Sequence, residues 1–311
     1  MARILILLCF LTAGSLAAQD GGVSILSPEP LFANGWQVYG SYGTSTSFQI
    51  RKDNRSTTNR DDLFKIQQRF AVGVNYGLSR DIPGDITFSL LVPFKYNEFR
   101  LNFDNDVRRG RASGLGDFGL FVRSRYLWWA APDSSGRAIH VSVAAGVELP
   151  TGSVSQTVNG SRAPRSVQVG SGGYNGVFAH LFAYEAARLE MFLTIQYRMR
   201  SIGVGSSGYN HGDIFSVEGN VAYRMIEEEY PGNTLSLEGG LVYSVKLPTR
   251  VDGVESKNSG GTVISIKPAL IWHPTAWYDI KISFKVPVIY NLHGTQLISP
   301  YSISASFGRR F

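Results

Sequence analysis

The sequence predicts an all-β chain closed into an antiparallel, membrane-spanning barrel of about twelve strands. Three observations carry this. Apolar and polar residues alternate through segments of roughly 15 residues, the connections between segments alternate short and long, and the last residue is aromatic. The closing stretch shows the pattern: Tyr301, Ile303, Ala305, Phe307 and Phe311 share one parity, and Ser302, Ser304, Ser306 and Gly308 share the other. Successive strand side chains point to opposite faces, so such a segment has one apolar and one wet surface. Strands of soluble sandwiches run to about 5 or 6 residues, so length separates the two classes. Closure follows from solvation: each unpaired backbone N–H or C=O in hydrocarbon costs several kcal/mol, so a sheet crossing lipid must leave no edge.

Residues 1–18 have the build of a secretory signal peptide, with Arg3 ahead of the apolar run Ile4 to Leu11 and then the small residues Ala13, Gly14, Ser15, Ala17 and Ala18. The run is too short for a spanning helix, which needs about 20 residues. Cys9, the one cysteine, leaves with the signal, so disulfides, thiolate metal sites and a cysteine nucleophile are excluded from the exported chain. Losing Arg3 lowers the net charge from +6 to +5. That mild excess, on an exported chain, speaks against a nucleic-acid partner. Residues 19–35, with Pro28 and Pro30, form an N-terminal segment that either hangs in the periplasm or plugs the barrel mouth, where Ile25, Leu26, Leu31 and Phe32 would suit an apolar seat.

The barrel occupies 36–311. Its first strand has Trp36, Val38, Tyr42, Phe48 and Ile50 on one parity; the second has Phe64, Ile66, Phe70, Val72, Val74, Tyr76 and Leu78 against Lys65, Gln67, Arg69, Ala71, Gly73 and Asn75. The same parity test places strands at 85–99, 114–129, 138–150, 173–185, 189–201, 213–226, 234–248, 262–273, 277–290 and 299–311, the 173–185 segment being apolar on both parities. Short connections near 79–84, 130–137, 185–188, 227–233 and 274–276 hold turn formers and face the periplasm; longer ones at 51–62, 100–113, 151–172, 202–212, 250–261 and 291–296 face outward. Trp36, Trp128, Trp129, Trp272 and Trp277 fall at the periplasmic strand ends, as an interfacial girdle requires.

The polar parity lines the lumen with Lys65, Arg69, Lys95, Arg123, Arg125, Arg198, Arg200, Arg224, Lys246, Lys267, Lys281 and Lys285, opposed by Glu148, Glu190, Glu218, Glu238 and Asp279. Two readings stay open. A basic ring orients anionic or carboxylated solutes, or the charges pair across strands and fill a narrow interior. Asp117, inward near the extracellular mouth, is expected to pair with Arg123 or Arg125 in a constriction or to be a plain strand-end carboxylate. Outer loops rich in arginine (Arg51, Arg55, Arg60, Arg108, Arg109, Arg111) would meet outer-membrane lipids and phosphorylated lipopolysaccharide, or are simply solvated.

Enzyme signals are weak. His140 and Ser142 share a strand face with a spacing reminiscent of the outer-membrane phospholipases, but no Asn or Asp is identifiable to orient the imidazole. His180, His211, His273 and His293 lack metal-ligand spacing, and no glycine-rich loop opens a helix to cradle phosphate, so neither metal nor cofactor is expected.

At Gly114-Leu-Gly-Asp117, Gly146-Val-Glu-Leu-Pro-Thr-Gly152, Gly170-Ser-Gly-Gly173 and Gly308-Arg-Arg-Phe311, the chain resembles the outer-membrane transporters associated with the meta-pathway of phenol degradation, over roughly residues 35–311. Tyr174 and Asn175 depart from that pattern, which more often has an acidic residue there. The resemblance implies uptake of small, often aromatic or hydrophobic compounds. The expected function is therefore an outer-membrane channel for passive uptake of small aromatic, hydrophobic or anionic solutes. Lys65, Arg69, Lys95, Asp117, Arg123, Arg125, Glu148, Arg198, Arg200 and Glu218 would line the path. The alternatives are a structural or adhesive barrel acting through its loops and a barrel lipase. The solute and the oligomeric state are not specified by the sequence.

Overall fold

The computed structural model describes residues 31, 33–78, 85–103, 106–131, 137–158, 160–202, 208–229 and 231–311. The expected signal peptide, most of the 19–35 segment and the 79–84 turn lie outside the described residues.

Twelve staves close into one ring. They are β1 (Trp36–Ser47), β2 (Phe64–Gly77), β3 (Asp85–Phe103), β4 (Asp106–Leu115 continuing, after a break, as Phe118–Ala130), β5 (Ala138–Leu149), β6 (Tyr174–Ala186), β7 (Leu189–Ile202), β8 (Ile214–Glu227), β9 (Thr234–Lys246), β10 (Gly261–His273), β11 (Tyr278–Leu292) and β12 (Ser302–Arg310). Each pairs antiparallel with its sequence neighbours, and β1 pairs with β12 from Gln37↔Arg310 to Ser45↔Ser302, which removes the last edge.

The parity rule holds. Gln37, Tyr39 and Ser41 of β1 are buried in the lumen while Trp36, Val38 and Tyr42 are exposed; Ala71 and Asn75 of β2 are buried while Phe70 and Val72 are exposed. The ambiguous segment is β6. Its inward residues Val177, Ala179, Leu181 and Ala183 are apolar because they pack inside the lumen, so grease on both parities still belongs to a barrel strand.

One expectation is corrected. Within the segment expected as the 100–113 loop, residues 100–103 and 106–113 are strand: β3 and β4 stay paired, Arg100 opposite Arg109 and Glu98 opposite Arg111, with Arg109 and Arg111 reaching Glu98 at 3.3 and 3.5 Å. Cross-strand charge pairing and the inward packing of Phe99 hold these residues extended. Trp128 is the most exposed of the five tryptophans at the periplasmic end. A bulge between Arg125 and Leu127 shifts the register, so Trp128 lies opposite inward-facing His140, with the Arg125 guanidinium 5.8 Å from its ring centre. Trp36, Trp129, Trp272 and Trp277 are likewise exposed at that end.

At that same end Leu31 is buried, and its N–H donates to Thr87 Oγ1 (3.1 Å) on the lumen wall. Leu31 therefore lies inside the barrel mouth.

The outer belt is set by depth. Leu241, exposed near the middle of β9, is expected to tolerate arginine badly, Leu241→Arg lowering the unfolding free energy in lipid bilayers by about 2–4 kcal/mol. Leu235→Arg, at the periplasmic end of the same face, should cost no more than about 1 kcal/mol in the same denaturant titration.

Candidate functional site: a two-tier lumen beneath an inward loop

From mid-depth to the periplasmic end, most lumen charges are paired. Lys267 donates to Glu218 (2.6 Å), which also accepts from Asn220 (2.8 Å). Lys281 donates to both oxygens of Glu238 (2.8 and 2.9 Å). Asp279 gathers Gln37 (3.0 Å), Arg310 (2.9 Å) and His273 (2.9 Å). Arg125 bonds Asp85, and Arg224 bonds Glu190 and reaches Glu227 at 3.0 Å. Facing acids and bases across adjacent strands offset each other's desolvation, so this tier is a neutral lining.

His140 belongs to the same network. Its Nδ1 faces Arg125 Nη1 at 3.2 Å, and its Nε2 faces Glu185 at 3.3 Å. A guanidinium only donates, so Nδ1 accepts and Nε2–H donates to Glu185. The carboxylate that the sequence did not reveal is thus present, across the β5–β6 pair. Neither ring nitrogen is left to take a proton from Ser142, and a serine nucleophile has no base here. At the outer rim Asp213 accepts from Tyr197 Oη (2.6 Å) and the Arg200 N–H (2.8 Å), so it too is engaged in structure. Among the described residues no three His, Cys, Asp or Glu side chains gather as metal ligands do.

An apolar cluster of Tyr39, Ala71, Leu91, Phe121 and Val177, drawn from β1, β2, β3, β4 and β6, occupies the lumen of that half of the ring. Tyr39 lies flat over Gly73, and Phe121 over Gly119 and Gly146, where any Cβ would collide with the rings. These glycines let two large aromatics lie against the wall instead of closing the bore.

The extracellular tier is different. The connection 150–173 folds inward over the mouth, with Val167, Gln168 and Val169 buried and Val167 packed against Phe99 and Ala163. Gln168 stitches it internally, donating to Gln156 O (3.0 Å) and Ala163 O (2.7 Å) and accepting from Gln156 N (3.1 Å). Three wall side chains hold it: Lys65 Nζ donates to Ser166 O (2.9 Å), Lys95 Nζ to Val169 O (2.7 Å) and Asn97 Nδ2 to Val167 O (2.8 Å).

Asp117 clamps its neck. At the break in β4 its two carboxylate oxygens accept from Gly152 N (2.9 Å) and Ser171 N (2.7 Å), joining both ends of the loop. Gly152 and Gly170 meet backbone to backbone beside it, an approach a side chain would forbid. Asp117 is therefore more than a plain strand-end charge, and Arg125 bonds Asp85 instead. Buried N–H donors at the neck take the carboxylate, while Arg125 is drawn to Asp85. The three glycine motifs around residues 114–117, 146–152 and 170–173, far apart in sequence, converge at this one neck.

Around the loop the cations are in excess. Glu148 is held by Arg198 and Asn175 (2.9 Å). Arg69, Arg200 and Lys246 have no ion pair among the described residues, and the Arg69 and Arg200 Nε–H groups are buried without an acceptor. Lys65 lies within repelling distance of Lys246, Arg200 and Lys95. The field shows in His211, beside Tyr209 on the outer rim: burial and the repulsion of Arg200, Lys246, Lys95 and Lys65 push its imidazole down to about 2, so it is neutral throughout the physiological range. Arg123 is buried at mid-depth. Lys246, Arg165 and the loop backbone were not among the expected path residues. The paired glycines at 152 and 170 were the only sequence hint of a neck.

Fold and lumen together define an outer-membrane β-barrel. The family described as "Putative MetA-pathway of phenol degradation" matches residues 65–288, and the chain belongs to it. Among solved structures, an outer membrane channel from Pseudomonas putida F1 is similar over 93% of this chain and 100% of its own, with a TM-score of 0.69 at 13% identity. The β domain of the Bordetella autotransporter BrkA is more distant (TM-score 0.47, 11% identity, 88% of this chain and 100% of its own). A Pseudomonas aeruginosa FadL homologue is similarly remote (TM-score 0.44, 8% identity, 97% of this chain and 99% of its own). No curated protein matches the chain.

Replacing Asp117 by alanine is expected to free the loop neck without opening the barrel. Hydrogen bonds to a charged group contribute about 1.5–3 kcal/mol, so exchange of the Gly152 and Ser171 amides should speed up by at least tenfold in a hydrogen-exchange measurement, with strand amides unchanged.

Proposed function

We propose that the barrel is a channel for passive uptake of small solutes, and that it favours anions carrying an apolar or aromatic body. The carrying observation is the unequal pairing of the two tiers. Most deep lumen charges are paired, whereas Arg69, Arg200 and Lys246 at the mouth make no ion pair among the described residues, the nearby Glu148, Asp117 and Asp213 being bonded to other groups. A ring of one sign in a pore selects ions by charge. Below it, Tyr39, Leu91, Phe121 and Val177 offer an apolar surface to the rest of the solute, in keeping with the family's link to phenol degradation.

Of the expected path residues, Arg69, Arg123, Arg198 and Arg200 serve this reading as orienting cations, and Lys65 and Lys95 as groups shared with the loop. Arg125 and Glu218 belong to the neutral lining, Glu148 tempers the ring through Arg198, and Asp117 positions the loop. A cavity of about 420 Å³ at the hairpin lip, floored by Phe99 and Val158 and bordered by Arg108, Arg109 and Arg162, extends the same apolar-plus-cation chemistry outward. Arg55 and Arg60, on the outer loops, suit the phosphate groups of lipopolysaccharide.

In planar bilayers the protein is expected to conduct with anion selectivity. Arg69→Gln combined with Arg200→Gln should lower the anion-to-cation permeability ratio several-fold, and Arg309→Gln, on the outward face at the periplasmic end, should leave it unchanged. A sealed barrel that also fails to speed benzoate uptake into liposomes would refute the channel.

A further inference from the structure

The bonds that hold the inward loop are made by the very cations that an anion would seek. Lys65 and Lys95 spend their ammonium groups on the neutral carbonyls of Ser166 and Val169, although a carboxylate is the stronger acceptor by about a factor of two. Beside them stand Arg69, Arg200 and Lys246 without ion pairs among the described residues. On the loop itself Arg165, in the short turn Arg165–Val167, brings a buried Nη1–H with no acceptor toward Tyr209, whose hydroxyl also feels the charge of Arg200. The acids within reach are all engaged: Glu148 by Arg198 and Asn175, Asp117 by the loop neck, Asp213 by Tyr197 and the Arg200 amide. Several cations thus converge on one chamber that the chain supplies with no further counter-charge among the described residues. Buried charge of one sign is costly unless a ligand of the other sign completes it.

Resting on the anion-channel reading, we propose that this chamber is a binding site for a small polycarboxylate. Arg69, Arg200, Lys246 and Arg165 receive its carboxylates, and Lys65 and Lys95 exchange the loop carbonyls for it. The occupant is then also the key. With both lysines withdrawn, the body of the loop is held by Asn97 and by the packing of Val167 on Phe99, while the Asp117 clamp keeps the neck in place. A single carboxylate cannot satisfy both lysines and the arginines together, so the site discriminates by the number of charges.

The test uses the full protein in planar bilayers, reading chloride current against added citrate, succinate and acetate. Citrate is expected to saturate its effect at a concentration at least tenfold below that of acetate, with succinate between them. Arg200→Gln and Lys246→Gln should each raise the half-effect concentration of citrate by about tenfold, the loss of one charge-assisted contact. Lys65→Met with Lys95→Met should raise the chloride conductance before any polycarboxylate is added. Heat-modifiable migration of each variant in detergent gels reports an intact barrel. Chloride-selective current on which citrate and acetate act alike would overturn the binding site and leave the channel reading standing. A barrel that conducts without anion preference would remove that reading and the site with it. Unchanged conductance in the double lysine variant would overturn the release of the loop.

Discussion

Everything in this molecule depends on the backbone having no unpaired edge in lipid. A peptide group in hydrocarbon finds no water, so each strand must be paired on both sides. The register from Gln37↔Arg310 to Ser45↔Ser302 completes the circle by joining the first strand to the last. Once the ring is closed, side-chain parity ceases to be local. One face of every strand is committed to lipid and the other to a bounded interior, and the polar residues of twelve strands are forced into a single small volume.

Crowding of charge into that volume has two solutions, and the barrel uses both at different depths. Toward the periplasm, Lys267 with Glu218, Lys281 with Glu238, Asp279 with its three partners and the Asp85–Arg125–His140–Glu185 chain neutralise one another across neighbouring strands. Toward the outside, cations outnumber acids and are met by a loop that offers carbonyl oxygens. A carbonyl carries a partial charge only, so the positive field persists at the mouth. The same arrangement that stabilises the inward loop leaves the opening attractive to anions.

Aromatic residues divide between two tasks that share one chemistry. Outside, Trp36 packs against Tyr76 (4.6 Å between ring centres), and Trp272 donates to Asn233 (2.7 Å), each with an apolar body and a polar edge at headgroup depth. Inside, Tyr39 and Phe121 lie over glycines and narrow the bore with apolar surface. Sequence parity separates these groups until a bulge intervenes, as between Arg125 and Leu127, where one extra residue exchanges the two faces of the strand.

Strand alternation, segment length and the rhythm of short and long connections are local properties, written in the order of the residues. From them the chain by itself determined an all-β barrel, its sidedness, and which of Lys65, Arg69, Lys95, Arg198 and Glu218 face inward. Closure decided the rest, because contacts across the bore join residues that no period in the chain relates. That Glu185 meets His140, that Asp117 ties Gly152 to Ser171, and that Arg69 and Arg200 make no ion pair among the described residues while Lys281 makes one depend on which strands stand opposite and on a loop folding back between them. Pairing of charges is a three-dimensional sum, and only the tertiary structure performs it.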